Sequence, residues 1–190
     1  QHAENEYLVH QDNNGNTALM IATQKGKNDI AKQLVDHPSA NKWLNLKNKE
    51  DRNALMIAAD CGNYGAVDEL LATDASTEGI AELLTEKAVN GQKQNVLIIA
   101  LTNGNYQVAR LLIKKSSEDY LAQQDNNGDT VLHIASFFGD FRIVNKLLSY
   151  GADKTMKNGS GLLPVDLSKD DFVRKVLTSL NNAAKNSDSK

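Results

Sequence analysis

The sequence predicts an all-α protein, a solenoid of stacked helix-turn-helix units joined by hairpin loops, and three observations carry that expectation. The stretch QDNNGNTALMIA at residues 11–22 returns as QDNNGDTVLHIA at residues 124–135, identical at nine of twelve positions. The apolar frame inside it recurs twice more, as Leu55, Ile57, Ala58 and as Leu97, Ile99, Ala100. Each copy of the frame is followed at the same distance by a glycine: Gly26, Gly62, Gly104 and Gly139. A fixed period of this size is the signature of a repeat architecture, in which one unit buries its apolar face only against its neighbours.

Four full units follow from this frame, beginning at Asp12, Asn48, Asn90 and Asp125, with a degenerate fifth at Asn158; their starts lie 36, 42, 35 and 33 residues apart. In each, Thr or Asn precedes a run of Leu, Ile and Ala spaced for one helical face, which predicts an N-capped first helix. The glycine then ends that helix in a left-handed conformation. A second helix follows, with Ile30, Leu34 and Val35 in the first unit and Ile143, Leu147 and Leu148 in the fourth on its buried face. Length variation falls in the loop that returns to the next hairpin, so insertions leave the helix pairs intact. The predicted segments are 1–11 (tail of a preceding partial repeat), 12–47, 48–89 with an insertion at 72–89, 90–124 and 125–157. A degenerate capping unit at 158–180 and a polar, disordered tail at 181–190 complete the chain. Within the insertion, Ile80, Leu83, Leu84 and Ala88 are spaced for a helix that covers repeat two, or alternatively for a projection toward a partner.

At residues 125–139, DNNGDTVLHIASFFG, the sequence resembles the ankyrin repeat family. Val131 stands where the family usually has Pro, Ser136 where it has a second Ala, and Gly151-Ala152-Asp153 matches the family's loop ending. The resemblance covers about residues 5–180, and Tyr7 to Gln11 align with Tyr120 to Gln124, as the end of an earlier unit would. It implies a protein-recognition module that binds with its hairpin tips and the exposed ends of the first helices. Carried over by position, the tips are Asn13, Asn14 and Asn16; Lys49, Glu50 and Arg52; Gln92 and Gln94; and Asn126, Asn127 and Asp129. The helix-one ends are Gln24 and Lys25, Asp60 (beside Cys61), Thr102 and Asn103, and Phe137 and Phe138. The Phe pair is the expected anchor, because two adjacent aromatics before Gly139 do not both fit a core. The alternative has one Phe packed under the neighbouring hairpin and the other against the last repeat.

Composition narrows the function classes. The 190 residues are 41% hydrophobic with a formal net charge of -3, and the lysines and arginines are scattered among acids. That distribution makes no single-sign field for nucleic acid or anionic membrane. The longest apolar runs fall far short of a membrane span. One cysteine excludes an intrachain disulfide and suits a reducing, cytoplasmic compartment. The expectation is a monomer with no cofactor, no metal and no catalytic activity, whose partner is another protein. The alternatives are a targeting domain of a larger enzyme or a microbial effector acting in host cytosol, the latter suggested by twenty-one asparagines.

Asp125, Asn127 and Asp129 alternate as calcium ligands do, but Thr130 and Ser136 stand where an EF-hand loop needs Gly and Glu, so an Asx-type β-turn is expected instead. His133 is expected to be partly buried and bonded to a neighbouring unit's backbone. Cys61 has Asp60 beside it rather than a cation that would activate it. Tyr64, Tyr106 and Phe141, two residues after their glycines, are expected to pack on the second helices.

Overall fold

The computed structural model describes residues 7–72 and 94–179. Those residues are helical pairs in sequence order, and the chain divides between Leu111 and Leu112 into two compact units. Residues 73–89 of the insertion, Gln92 and the tail at 181–190 lie outside the described residues.

In the first unit, α1 (Ala18–Gln24) and α2 (Asn28–Val35) form one hairpin and α3 (Ala54–Asp60) and α4 (Tyr64–Ala72) the next, followed by α5 (Val96–Thr102) and the start of α6 (Tyr106–Lys115). The first helices begin where the caps predict. Thr17, Asn53 and Asn95 are extended residues whose side chains accept the N–H groups of Met20, Met56 and Ile98 at 3.3, 2.9 and 3.0 Å. All three caps are fully buried, so each satisfies a helix donor that water does not reach. Leu19, Leu55 and Leu97 are 0% exposed, and Ala58 and Ala100 let the backbones approach. Helix α1 packs on α2 and α3, and α3 packs on α4 and α5.

Polar side chains lock the stacking. After the inter-helix glycine, Asn63 donates to Thr23 O at 3.0 Å, and Asn105 donates to both Ala59 O and Asp60 O at 2.8 Å. Each asparagine thus takes up carbonyls at the C-terminal end of the preceding unit's first helix. Trp43 is fully buried in the long return loop and donates to Leu34 O at 3.2 Å.

The second unit holds the end of α6, α7 (Glu118–Leu121), α8 (Val131–Phe138), α9 (Phe141–Ser149), α10 (Pro164–Leu167) and α11 (Asp171–Ser179). Helix α8 packs on α9 and α10, and α9 and α10 pack on α11. The degenerate last repeat is a real helix pair: Pro164 opens α10, Asp170 accepts the Val173 N–H at 2.8 Å at the start of α11, and Val173 and Leu177 are buried.

The glycines that end the first helices have φ of 67, 69, 71 and 75°, as expected. Ile30 differs from expectation: it is 51% exposed, and Ala31 and Val35 carry the buried face of α2. Its counterparts Ala66, Val108 and Ile143 are buried, whereas in α2 the buried stripe is set by Ala31 and Val35, four residues apart, which turns Ile30 toward solvent. Tyr64 and Phe141 also remain 47% and 39% exposed rather than packed away.

Candidate functional site

The hairpin tips are built on Asx turns. The Asp12 carboxylate accepts the N–H groups of Asn14 and Asn16, both at 2.8 Å, and the Asp125 carboxylate accepts those of Asn127 and Asp129 at 2.8 and 2.9 Å. The Asn16 N–H, more than that of Asn14, holds Asp12 below its usual carboxylate pKa. These acids therefore serve the turn's own backbone, the arrangement expected of a structural tip.

Adjacent tips are then joined. Lys49 N–H donates to Asn14 O at 2.9 Å, and Gly159 N–H donates to Asn127 O at 2.8 Å. Side chains repeat the pairing: Asn48 donates to the Asn16 carboxamide oxygen at 3.0 Å, and Asn158 donates to Asp129 at 2.8 Å. Gln11 spans Gly15 O and Lys47 O, as Gln124 spans Gly128 O and Lys157 O. Gly15 and Gly128 sit at φ of 80 and 75° where two backbones touch, and a Cβ on Gly15 would come within 2.8 Å of Lys49 N. Asp51 occupies the same position in the second tip at φ 59°, a conformation aspartate tolerates better than most residues.

In the first unit, this junction and the ends of α1 and α3 enclose an open cavity of roughly 320 Å³. The tips contribute Asn14, Asn16, Asn48, Lys49, Glu50 and Arg52, and the helices contribute Gln24, Ile57, Asp60 and Cys61. Most of these are binding positions expected from sequence. Asn48 and Ile57 are additions, and Asn48 was legible as the residue in the position of Asp12. Arg52 donates to Asp60 at 2.9 Å, and Asp60 also accepts from Asn103 at 2.9 Å. Burial, and then the Asp60 carboxylate, push the Cys61 thiol above its usual pKa, with Arg52 pulling the other way, so it stays protonated at neutral pH.

The remaining named residues divide by environment. Asn13, Lys25, Asn126 and Asn127 are exposed, while Gln94 and Asp129 are half-buried. Thr102 is tied to its own helix, its hydroxyl donating to Ile98 O at 2.9 Å. In the second unit Phe137 and Phe138 are 55% and 46% exposed and meet edge to face at 5.4 Å. Phe141 and Phe172 form a second such pair at 5.1 Å. His133 is fully buried rather than partly, between Thr130 Oγ1 at 2.8 Å and Leu162 O at 3.1 Å in the next repeat. The Thr130 N–H donates to its Nδ1, so Nε2 carries the proton given to Leu162 O.

Comparison with known proteins gives the same architecture. The family model "Ankyrin repeats (3 copies)" matches residues 3–80 and 73–158. Alpha-latrotoxin-Lg1a of Latrodectus geometricus is 23% identical over 133 residues, covering 66% of this chain and 10% of the toxin. Synphilin-1 of Mus musculus is 28% identical over 164 residues, 85% of this chain and 16% of that protein. The chain thus spans a small part of each of these relatives. Among solved structures, a chain from the complex of a predatory endopeptidase of Bdellovibrio bacteriovorus with an immunity protein superposes with a TM-score of 0.68 and 26% identity, covering 96% of this chain and 86% of that one. The matching frame, caps and tips, together with a family model that spans most of the sequence, make this chain a member of the ankyrin repeat family.

Proposed function

We propose that the chain is a monomeric, cytoplasmic protein-recognition module that holds a partner protein with its hairpin tips and helix-one ends. The observation that carries this reading is the Phe137 and Phe138 pair, exposed at the end of α8 where the other repeats have Gln24-Lys25, Asp60-Cys61 and Thr102-Asn103. The chain has four phenylalanines, and each is at least 39% exposed, so none is spent on the core. Large rings left in solvent on a rigid scaffold are the usual anchors of an interface, and a pre-ordered surface loses little entropy on binding. A single cysteine fits the reducing compartment. No reaction is part of this reading.

The test is affinity capture from lysate of the source organism, comparing wild type with Phe137→Ala, Phe138→Ala. The variant should unfold within about 0.5 kcal/mol of wild type, as surface substitutions do, and lose its captured proteins. Equal recovery of every protein by both would sink the anchor.

A second reading is favoured by the solved complex: the chain masks an endopeptidase, as an immunity protein would. Titration of the chain into endopeptidases of its own organism should then abolish one activity at an equimolar ratio. Unchanged activity across that set would end this reading.

A further inference from the structure

Five asparagines directly precede a glycine: Asn14-Gly15, Asn90-Gly91, Asn103-Gly104, Asn127-Gly128 and Asn158-Gly159, of which Asn90-Gly91 lies outside the described residues. The dipeptide has a chemistry of its own. The glycine nitrogen can attack the asparagine side-chain Cγ and close a five-membered succinimide, and with no Cβ on the glycine that nitrogen is unshielded. The four described pairs share this sequence and differ in surroundings.

The glycine nitrogens do not separate them. Each N–H is held once by a carbonyl: Gly15 by Asp12 O at 2.9 Å, Gly104 by Leu101 O at 3.1 Å, Gly128 by Asp125 O at 3.1 Å and Gly159 by Asn127 O at 2.8 Å. The carboxamides do separate them. Asn103 donates to Asp60 and to Ile99 O, at 2.9 and 3.0 Å. Asn158 accepts the Ser160 and Leu162 N–H groups at 3.0 Å and donates to Asp129 at 2.8 Å. Among the described residues, the exposed carboxamides of Asn14 and Asn127 form no hydrogen bond. Asn103 is exposed as well, so restraint of the carboxamide, not access of water, is the difference.

We propose that Asn14 and Asn127 are self-modifying positions, where the hairpin tip slowly exchanges a neutral carboxamide for a carboxylate, while Asn103 and Asn158 are protected. The step balances with water as its only co-reactant. The glycine nitrogen gives up its proton and forms the bond to Cγ, and the side-chain nitrogen takes a proton and leaves as ammonia. Water then opens the ring. Cleavage of the new Cγ–N bond gives aspartate, and cleavage of the original peptide bond gives isoaspartate, whose main chain runs through Cγ and is one carbon longer.

The location gives the change a consequence. Asn14 O accepts the Lys49 N–H at 2.9 Å and Asn127 O accepts the Gly159 N–H at 2.8 Å, the backbone links between neighbouring tips. In the isoaspartyl product that oxygen belongs to a free carboxylate off the main chain. The link is then made by a different group on a longer tip. This concerns the covalent state of the tips and stands whether or not they hold a partner.

The test ages the full chain in heavy-oxygen water at mildly alkaline pH, digests it with trypsin in ordinary water and locates the label by mass spectrometry. Separate tryptic peptides carry Asn14, Asn103, Asn127 and Asn158. Asn14 and Asn127 should take up label about tenfold faster than Asn103 and Asn158, the factor expected when a hydrogen bond must break first. The rate should rise with pH, because the nitrogen attacks only after losing its proton. In denaturant the four rates should converge. Asn14→Gln, which moves the carboxamide one carbon away, should end uptake there and leave Asn127 as before. Asp60→Ala, which removes one of the two bonds on Asn103, should speed that position. Four equal rates in the folded chain would overturn the assignment, as would no uptake at Asn14 and Asn127 under conditions where the denatured chain reacts. An unchanged Asn103 in the Asp60 variant would remove hydrogen bonding as the cause and the ranking with it.

Discussion

The junction between the first two hairpin tips and the one between the last two are the same piece of construction with different walls. In both, a Gln bridges the tip, a backbone N–H crosses to the neighbouring tip, and an Asn side chain duplicates that link. Beside the first junction stand Gln24, Asp60, Cys61 and an ion pair; in the second unit stand Phe137 and Phe138. The tips fix spacing, whereas the helix ends differ from unit to unit: Asp60 and Asn103 are bonded to each other, and Phe137 and Phe138 stand exposed. Chemistry is therefore written on the helix-one ends, and the shared geometry says nothing about which partner is bound.

The comparison is broken most severely at the glycines. Gly128→Ala places a Cβ against the Gly159 N–H at positive φ, and should cost about 3 kcal/mol in chemical denaturation. Gly15→Ala, facing Lys49 N at 2.8 Å, should cost about 2 kcal/mol. Gly26→Ala, with nothing within 4 Å of its Cβ, reports the φ strain alone and should cost about 1 kcal/mol. If all three cost the same, close approach of the tips contributes nothing.

A loss between those of Gly15→Ala and Gly26→Ala is expected at the third residue of the first helix, Met20 in one unit and His133 in the other. Thr17 N–H lies 3.4 Å from Met20 Sδ, and Thr130 N–H lies 3.2 Å from His133 Nδ1, so both side chains face the cap. Of the two, His133 also reaches the next repeat. His133→Met should cost about 1–2 kcal/mol through the lost bond to Leu162 O, read as an earlier unfolding midpoint.

Asp51 should give a still smaller effect of the opposite sign. It takes the left-handed place that Gly15 and Gly128 fill, so Asp51→Gly should raise stability by about 0.5 kcal/mol. A loss would mean that the ion pair of Asp51 with Lys47, at 3.5 Å, outweighs the backbone strain.

The smallest effect is set by pH. The folded-state pKa of Asp12 lies below its ordinary value of 3.8, so its contribution is present above that value and fades as pH falls through the lowered folded pKa. Asp12→Asn should flatten this acid limb of the stability curve. An unchanged limb would place the acid sensitivity elsewhere.

Much of the fold was legible because each unit repeats the same local rules. Thr17, Asn53 and Asn95 announced the helix starts, and the glycines announced the ends. The site was legible as positions but not as roles. Asn16, Arg52, Asp60 and Asn103 are named by their register, yet their side chains hold the scaffold, whereas Asn14, Gln24 and Lys49 have none of those bonds. That division depends on partners 8 to 43 residues away.

The sequence by itself determined the repeat, the caps, the turns and the residues at the tips, because these follow from short-range hydrogen bonding and the spacing of apolar side chains. Tertiary structure decided the burial of Trp43 and His133 and the links from Asn63 and Asn105 to the preceding helix. It also brought the first two tips and two helix ends together around one cavity. Each of these depends on which neighbour covers a position in the stack, and that is a contact between units rather than a property of one.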